Sequence, residues 1–535
     1  MTRIVDAAQR QTATTDLGSS VALSAGAGAG KTSVLVERVA NLLLSGVEPQ
    51  RIAAITFTEK AATEIAERVR DRLEAALREA TGVARERVEH ALSAYPRIAI
   101  STVHAFCRDL LHAEALASEW APSTEILGES LAPSSVTAAY RRWRKGFARR
   151  HPAEAVALRR HATEAALEAA ALHMLENRDL RPRVRTEPID WAVAFDAFVA
   201  IQDRVVAAGL LCTAPDTCKL FTKNQALCDS LAAARANGPD GCGAVLAASD
   251  LGNLSGGRGA DWTGDAKKDF VDAIKAYRAW HAAWSPLLLE PLHAVVFTDM
   301  ADEFLPDVSA SKLLANQVDF QDLLVRAADL LTDDADARAR LSARFDAVLV
   351  DEVQDTDPVQ SHVVTLLTRA VALVGDWDAH PPEPGRLFIV GDPKQSIYRF
   401  RRADVAQWAA LDALVAQNGR SLALSQNFRS VPGVLDWVNH TFAQLPGFAP
   451  LAPFRTPAEL APVVVVDGFE GAEGIGEVEA TVRYLCHLRA SGARVHDKAT
   501  GAMRPLRWRD VMILVLSWSP AEGFQDRLLA AGIPA

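Results

Sequence analysis

The stretch VALSAGAGAGKTSVLVERV, residues 21–39, decides how the rest of the chain is interpreted. Its apolar start predicts a short buried strand, and the spacing of apolar residues after Lys31 predicts a helix. Between the two lie three glycines alternating with alanines, followed by Lys31 and Thr32. Small residues let the backbone N–H groups of such a loop wrap a phosphate, while the lysine reaches the outer phosphates and the threonine reaches Mg²⁺. The stretch therefore predicts a nucleotide-binding loop.

One position departs from the usual pattern G-x-x-x-x-G-K-[ST], because Ala25 stands where the first glycine is expected. An alanine there adds one methyl group and removes no backbone donor. The alternative is a flexible Ala/Gly run that happens to precede Lys-Thr. The loop residues predicted to bind the nucleotide are Ala25, Gly26, Ala27, Gly28, Ala29, Gly30, Lys31 and Thr32.

A pair of acids far along the chain fits the other half of such a site. AVLVDEVQDTDPVQ places Asp351 and Glu352 directly after an apolar strand, at the end where α/β sheets bind ligands. Asp351 is predicted to hold Mg²⁺ together with Thr32, and Glu352 to orient and deprotonate the attacking water. Elsewhere in a sequence, two such acids would be interpreted as solvated loop carboxylates. After a buried strand they predict a hydrolytic site.

Two further segments supply candidates for contacts with the outer phosphate. LFIVGDPKQSIYRFRRAD is a strand that runs into a polar turn, and its Gln395 is predicted to contact the γ-phosphate. LALSQNFRS carries Arg429, a cation available for the same phosphate. Taken alone, Arg429 also fits an ordinary surface charge. The predicted catalytic set is therefore Asp351, Glu352, Gln395 and Arg429.

The order of elements predicts an α/β fold with a RecA-like parallel sheet covered on both faces. Strands at VALSA, IAAITF and RIAIST alternate with helices, and FDAVLVDE and RLFIVGD continue the pattern after a mostly helical insertion. PVVVVDGF (462–469) and DVMILVLS (510–517) are predicted strands that open a second α/β unit. The predicted domains are 1–117 and 319–450 for the first RecA-like domain, 118–318 for the insertion, and 451–535 for the start of the second.

Composition narrows the class of protein without identifying a ligand. The chain has 535 residues, 49% hydrophobic, with a net charge of −10 and a pI near 5.8, so no overall basic field indicates nucleic acid. No apolar run approaches the ~18 residues of a membrane span, and the polar N-terminus lacks a signal peptide, so we expect a cytoplasmic protein without membrane contact. Cys212, Cys218, Cys228 and Cys242 have uneven gaps and no C-x-x-C pair, which favours ordinary thiols over a metal site.

Six segments in a fixed order resemble superfamily 1 DNA helicases of the UvrD/Rep type, and most closely the recombination helicase-nucleases AddA and RecB. They are AGAGAGKT, TFTEKAATEI, STVHAFC, DEVQDTDPVQ, GDPKQSIYRFRRAD and LSQNFRS. The resemblance is strong over residues 1–120 and 318–440 and loose over 455–535. It implies ATP and Mg²⁺ as cofactors, and it accounts for Ala25, since alanine is common there in these helicases.

The resemblance also implies roles that the residues alone do not indicate. Gln9, in VDAAQRQ, matches a glutamine that reads adenine, and Phe428 matches an aromatic residue that lies against adenine. Taken alone, Phe428 fits a core phenylalanine equally well. TFTEKAATEI and STVHAFC match segments that bind single-stranded DNA. The implied DNA contacts are Thr56, Phe57, Thr102 and His104.

Aromatic and basic residues elsewhere extend the predicted DNA track. Tyr398 and Phe400 alternate with arginines, including Arg401, and bases of any sequence can stack on such aromatic rings. RRWRKGFARRH, residues 141–151, is a basic cluster that interleaves Trp143 and Phe147. The resemblance implies duplex contact in this region, and a solvated helix face explains the cluster nearly as well.

The leading hypothesis is an ATP-dependent DNA helicase or translocase that moves 3′ to 5′ in recombination and double-strand-break repair. Its predicted partners are single-stranded and forked DNA and a second helicase/nuclease subunit. The chain shows neither the last two helicase motifs nor a nuclease domain, so we expect Mg·ATP binding with feeble hydrolysis and little unwinding. The alternatives are an ATP-switched DNA-binding protein that is not a motor, and a P-loop ATPase that acts on RNA.

Overall fold

A computed structural model describes residues 4–128, 134–180, 191–247, 251–372, 377–457, 459–466, 476–497 and 500–535. Within these ranges the chain divides into two compact units. The first unit comprises residues 1–120 and 322–535, and the second comprises residues 121–321. The predicted boundary near residue 450 stays a prediction.

Strands and helices alternate in the N-terminal part of the first unit, as the sequence predicts. The elements up to residue 120 are α1 (Ala7–Thr15), β1 (Val21–Ala25), α2 (Lys31–Ser45), β2 (Ile52–Thr56), α3 (Glu59–Glu79), α4 (Gly82–Ser93), β3 (Ala99–Thr102) and α5 (Val103–Ala113).

The second unit is almost entirely helical. Its elements are β4 (Glu125–Ile126), α6 (Ser134–Arg150), α7 (Pro152–His161), α8 (Glu164–Glu176), α9 (Trp191–Gly209), α10 (Lys219–Ala236), α11 (Gly241–Leu246), α12 (Ala266–Trp284), α13 (Glu290–Asp299), α14 (Leu305–Leu314) and β5 (Gln317–Val318). Two separate apolar clusters stabilise it, one formed by segments within 136–175 and 292–308 and the other by segments within 191–288.

The chain then returns to the sheet of the first unit and ends in smaller elements. These are α15 (Phe320–Asp333), α16 (Ala335–Ser342), β6 (Ala347–Val350), α17 (Pro358–Thr368), β7 (Leu387–Gly391), α18 (Val405–Ala416), β8 (Arg420–Leu424), β9 (Gln426–Asn427), α19 (Pro432–Phe442), β10 (Ala452–Pro453), α20 (Glu477–Ala490), β11 (Arg494–His496), β12 (Met503–Pro505) and α21 (Ala521–Ala530).

The central sheet of the first unit has six strands in the order β3-β2-β6-β7-β1-β8, and every neighbouring pair is parallel. Alternate residues of these strands pack with apolar side chains of α2, α3 and α4 in one core cluster. Helix α17 contacts β6 and helix α18 contacts β1, and every residue of β2, β6 and β7 is buried. The predicted α/β class and parallel sheet are therefore confirmed.

The two strands predicted beyond residue 460 are wrong over the described residues. Neither 462–466 nor 510–517 forms a strand, and residues 467–469 lie outside the described ranges. Val465, Leu514 and Leu516 are instead exposed. A strand requires a neighbour that accepts and donates its backbone hydrogen bonds, and neither segment has one among the described residues. Only the intervening helix, α20, forms as predicted.

Candidate functional site

The loops at one edge of the central sheet contain most of the predicted site residues. Because all six strands are parallel, their carboxyl ends meet at the same edge. The glycine-rich loop follows β1, Asp351 and Glu352 follow β6, and Asp392 follows β7. Since β7 lies between β1 and β6, the sheet order brings together segments more than 300 residues apart. This is the crevice where open α/β sheets bind ligands.

The glycine-rich loop has the backbone shape of an anion cradle. Gly28 and Gly30 have φ values of +72° and +82°, a left-handed conformation that residues with a side chain rarely adopt. Gly30 is the N-cap of α2, so the loop leads directly into a helix N-terminus. Successive N–H groups in such turns, together with the helix dipole, favour an anionic ligand.

A second segment clamps this loop from outside. The Asn427 side-chain amide donates a hydrogen bond to the Ala27 carbonyl at 2.6 Å, and the Phe428 N–H donates to the Gly28 carbonyl at 2.9 Å. A side chain at Gly28 would meet Cβ of Arg429 at 2.6 Å. Arg429 therefore starts directly beside the loop, and its side chain is exposed. Asn427 has no role in the sequence analysis, although it stands within the quoted LSQNFRS segment.

Lys31 and Glu352 form the central contact of the site. Lys31 Nζ lies 2.5 Å from Glu352 Oε2, across 321 residues of sequence. Glu352 has a φ of +52°, which is uncommon for any residue other than glycine and turns the chain sharply after β6. The sequence predicts that both residues belong to one site, and the two side chains are in direct contact.

Asp351 lies deeper, at the end of β6, with only 5% of its surface exposed. The Glu352 N–H donates to Asp351 Oδ1 at 3.0 Å. Burial, and next the negative charge of Glu352, raise the pKa of Asp351 to about 7. A buried carboxylate beside a second acid is well suited to a cation, which would favour its ionised form. Thr32, the other predicted Mg²⁺ ligand, is the half-buried second residue of α2.

Gln395 joins the site through Asp392. The Gln395 side-chain amide donates to Asp392 Oδ2 at 2.7 Å, and Lys394 Nζ lies 3.0 Å from Asp392 Oδ1. The Asp392 N–H in turn donates to Gln354 Oε1 at 2.8 Å, while Gln354 Nε2 donates to Glu352 Oε2 at 2.8 Å. The predicted residues Lys31, Glu352 and Gln395 thus belong to one hydrogen-bonded network. Gln354 and Asp392, which link them, have no assigned role in the sequence analysis.

The predicted adenine side contains an aromatic and cationic cluster. The Phe428 ring lies 4.8 Å from the Phe454 ring, and the Arg10 guanidinium lies 4.9 Å from the Phe428 centroid. Arg10 is held by Asp6 at 2.6 Å, an i,i+4 pair visible in VDAAQRQ. The neighbouring Gln9 is exposed and makes no hydrogen bond within the described residues. Its role in reading adenine stays a prediction.

The aromatic residues predicted to bind DNA assemble from two loops. The rings of Phe57 and Tyr398 stack at 5.0 Å with planes 29° apart, and Phe400 lies 5.8 Å beyond Tyr398. The Arg401 guanidinium lies 6.0 Å from the centroids of Tyr398 and Phe400. Phe400 is 78% exposed. This row of rings and cation offers a surface on which bases can stack.

Other candidates for DNA contact have structural surroundings. Thr56 is 1% exposed at the end of β2, so its side chain does not reach the surface. The Thr102 hydroxyl is also buried; it accepts from the Ala105 N–H at the start of α5 and donates to Glu59 Oε1 at 2.9 Å. His104 is half-buried in the first turn of α5. Burial argues against direct contact by either threonine, because both strand ends lie inside the sheet.

The basic cluster of the second unit separates into two faces. Trp143 and Phe147 are buried in an apolar cluster, so they do not interleave with the charges on the surface. Arg141, Lys145 and Arg149, at i, i+4 and i+8 of α6, are exposed on the same face. They line a concavity of ~770 Å³, and within the described residues none of the three has an ion-pair partner.

The cysteine cluster of the second unit is part of its core. Cys212, Cys218 and Cys242 are buried, and Cys228 is half-buried. Among the residues that the structure describes, no group of three or more His, Cys, Asp or Glu side chains is arranged to hold a metal ion. The prediction of ordinary thiols is consistent with this packing. In the same ranges, no helix combines the length and the apolar character that a membrane crossing requires.

Comparison with known proteins agrees with these features. The UvrD/REP helicase N-terminal domain matches residues 5–413. A subunit of the ATP-dependent helicase/nuclease of Geobacillus kaustophilus is 27% identical, aligned over 97% of this chain and 48% of its own length. The protein of the same name from Carboxydothermus hydrogenoformans is 26% identical, over 98% of this chain and 49% of its own.

The chain spans about half the length of these two curated relatives. The family match itself covers most of the chain and includes the glycine-rich loop, the acidic pair after β6 and the segment that carries Gln395. This chain therefore belongs to the UvrD/REP helicase family.

Proposed function

We propose that this chain contains the ATP site and part of the DNA track of a helicase or translocase. We infer movement 3′ to 5′ on single-stranded DNA, in recombination and double-strand-break repair. Family membership supports the helicase class, and relatives named as ATP-dependent helicase/nucleases support the repair role. The observation that carries the proposal is the 2.5 Å contact of Lys31 with Glu352 at the sheet edge.

The residues at this edge fit Mg·ATP. The left-handed Gly28 and Gly30 shape a cradle of backbone donors, and Lys31 at the start of α2 supplies a charge for the outer phosphates. Asp351 and Thr32 are the residues that would hold Mg²⁺. When bound, Mg·ATP would supply the phosphoanhydride bond to be cleaved and a cation that neutralises its charge. Phe428 and Arg10 offer a flat apolar face and a cation for the base.

Glu352 is the residue we assign to proton transfer. Its Oε2 atom would accept a proton from the attacking water once Lys31 turns from Glu352 towards phosphate oxygens. Gln354 continues to hold the carboxylate from the other side. Arg429, exposed beside Gly28, is positioned to contribute positive charge near the outer phosphate. These roles describe direct transfer of the phosphoryl group to water, with no covalent bond formed to the protein.

The aromatic row formed by Phe57, Tyr398 and Phe400 is the proposed grip on single-stranded DNA. Stacking of a base on one aromatic side chain contributes about 1–3 kcal/mol and tolerates any sequence. Tyr398 follows Gln395 by three residues, so one short segment joins the phosphate side of the site to the DNA side. A change at Gln395 can therefore alter the surface that holds DNA, as a translocating motor requires.

The exposed face of α6 is the proposed contact for the duplex part of a fork. Three cations at i, i+4 and i+8 repel one another, and a phosphate backbone would relieve that repulsion. Reversing the charge of Arg141, Lys145 and Arg149 should weaken duplex binding and reduce its salt slope by about 3. Reversal of Arg78, Arg85 and Arg87, which changes net charge equally, is the matched control. Equal losses in both triple variants would contradict the assignment.

The name of the relatives describes one subunit of a helicase/nuclease assembly. We extend the proposal to a second subunit that binds this protein. Co-purification of the chain with the product of a neighbouring gene would test the extension, and a monodisperse single-chain species in the presence of that product would contradict it.

Two substitutions test the ATPase proposal. Lys31→Ala should abolish measurable binding of Mg·ATP, whereas Glu352→Gln should preserve binding and abolish hydrolysis in a single-turnover assay. Lys275→Ala, an exposed lysine of the second unit, is the control and should behave as wild type. Undiminished nucleotide affinity in Lys31→Ala would refute the site.

The nature and direction of the track need separate assays. ATPase stimulation by single-stranded DNA but not by RNA would support a DNA motor. A translocase that moves 3′ to 5′ displaces streptavidin from a biotin at the 5′ end of an oligonucleotide, and displacement from the 3′ end would contradict the direction. ATP consumption without displacement at either end would favour the alternative of an ATP-switched DNA-binding protein.

A further inference from the structure

A buried glutamine, Gln354, bridges the two loops that follow β6 and β7. It is 2% exposed and lies in a short turn directly after Glu352. Its Nε2 atom donates to Glu352 Oε2 at 2.8 Å and to Asp355 Oδ2 at 3.2 Å. Its Oε1 atom accepts the Asp392 N–H at 2.8 Å. One side-chain amide thus connects an acid of the site to the next strand end.

The chemistry of the partners allows only one orientation of this amide. Carboxylates accept hydrogen bonds and a backbone N–H only donates. Turning the amide over would set two donors against each other at Asp392 and two acceptors against each other at Glu352. Gln354 is therefore held at both ends, and the position of one loop determines the position of the other.

The last residue of β7 is shaped around this contact. A Cβ atom added at Gly391 would lie 2.6 Å from Gln354 Oε1 and 3.0 Å from the Trp408 ring. Gly391 has no left-handed backbone that would itself require glycine. The close approach of Gln354 and Trp408 is thus the reason for the missing side chain at this position.

Within the described residues, Lys31 and Gln354 are the two side chains that donate to Glu352. Both bond the same oxygen, Oε2. If Lys31 turns to a phosphate, as the proposed function requires, the neutral donor from Gln354 remains to hold the carboxylate. An unconstrained Glu352 would rotate among its rotamers and lose its aim at the attacking water.

We propose that Gln354 is a positioning residue of the ATPase: it aims Glu352 and makes that aim depend on the loop that carries Asp392 and Gln395. The inference rests on the proposed function, since it assigns Gln354 a part in that reaction. Gln395 bonds Asp392 at 2.7 Å, and the same segment continues to Tyr398 in the aromatic row. Displacement of this segment by DNA reaches Glu352 through two hydrogen bonds and one amide.

Two variants of the full chain separate the functions of the amide. Gln354→Met keeps length and approximate volume and removes every hydrogen bond. Gln354→Glu keeps the acceptor for the Asp392 N–H and removes the donor to Glu352. Gln360→Met is the matched control, because Gln360 is a buried glutamine of α17 outside this network. Thermal unfolding of all three shows how much of each variant is folded.

Single-turnover hydrolysis of Mg·ATP, with and without an oligo-dT strand, is the decisive measurement. We expect both Gln354 variants to hydrolyse about 10- to 100-fold more slowly, the size of effect for a lost hydrogen bond to a charged group. The Kd for Mg·ATPγS should stay within about threefold of wild type, and stimulation by DNA should fall. Gln360→Met should retain the wild-type rate and stimulation.

A double-mutant cycle distinguishes positioning from a general packing defect. In a Glu352→Gln background, Gln354→Met should cause no further loss of rate, because the carboxylate that it aims is absent. A second, multiplicative loss would overturn the inference, as would a wild-type rate in Gln354→Glu. If Glu352→Gln itself hydrolyses ATP at the wild-type rate, the proposed function fails instead, independently of Gln354.

Discussion

Gly28→Ala is the substitution that most directly tests how the glycine-rich loop is built. A Cβ atom at this position would lie 2.6 Å from Cβ of Arg429 and 2.8 Å from Nδ2 of Asn427. The Asn427 amide itself bonds the Ala27 carbonyl at 2.6 Å. The backbone at Gly28 also has a φ of +72°. The alanine therefore meets both an unfavourable backbone conformation and a neighbouring segment.

The expected cost follows from these two effects. A left-handed conformation costs a residue with a side chain about 1–2 kcal/mol. Carbon atoms prefer separations of about 3.5–4.0 Å, so a 2.6 Å approach forces the loop away from Arg429. Losing the Asn427 bond to the loop adds about 1 kcal/mol. A total of about 2–3 kcal/mol, spent in restoring the binding shape, would raise the Kd for Mg·ATPγS by about 30- to 150-fold.

Fluorescence titration with a labelled ATP analogue measures this change, and Gly46→Ala is the control. Gly46 ends α2 with a φ of +101°, and no atom lies within 4 Å of the Cβ position. Gly46→Ala should lower the unfolding temperature through backbone strain while leaving nucleotide affinity unchanged. Wild-type affinity in Gly28→Ala would refute the account of the clamp, and equal affinity loss in both variants would reduce it to a loss of stability.

Three further outcomes are expected. Phe400→Ala should weaken binding of single-stranded DNA by about 5- to 150-fold, the equivalent of ~1–3 kcal/mol, without changing the unfolding temperature, since the ring is 78% exposed; fluorescence anisotropy and calorimetry measure the two. Chelating Mg²⁺ with EDTA should weaken nucleotide binding by the wild type more than by Asp351→Asn, and equal effects in both would contradict the assigned ligand. Although burial opposes it, hydrogen bonds from Arg150 and Trp143 lower the pKa of Asp299. The stability from this shift is present above the ordinary pKa of about 3.9 and lost as the pH falls through the lowered value, so acid unfolding should be less steep in Asp299→Asn.

Local sequence was sufficient for elements whose geometry depends on neighbouring residues. The strand–loop–helix around Lys31 forms as predicted, because apolar runs and glycines act within one turn of the chain. The strand β8 has no separate prediction, since it lies at the sheet edge and most of its residues are exposed or half-buried. The strands predicted beyond residue 460 failed for a related reason: apolar content favours a strand, whereas a neighbouring strand is needed to form one.

Burial was the property that sequence patterns described least well. Trp143 and Phe147 stand among arginines in the sequence, yet helical geometry turns both rings into the core and the charges outward. Thr56 ends its strand but is enclosed by the sheet. In both cases the direction of the side chain depends on packing, which residue type and position along the chain do not specify.

The sequence by itself determined the parts of the ATP site: a glycine-rich loop before Lys31, acids after an apolar strand, and an aromatic segment after Gln395. Only the tertiary structure decided that Lys31 contacts Glu352 and that Gln354 joins Glu352 to Asp392. The physical reason is the strand order, in which β7 separates β1 from β6. Strand order is set by the packing of the whole sheet, so no local pattern contains the distances between the loops at its edge.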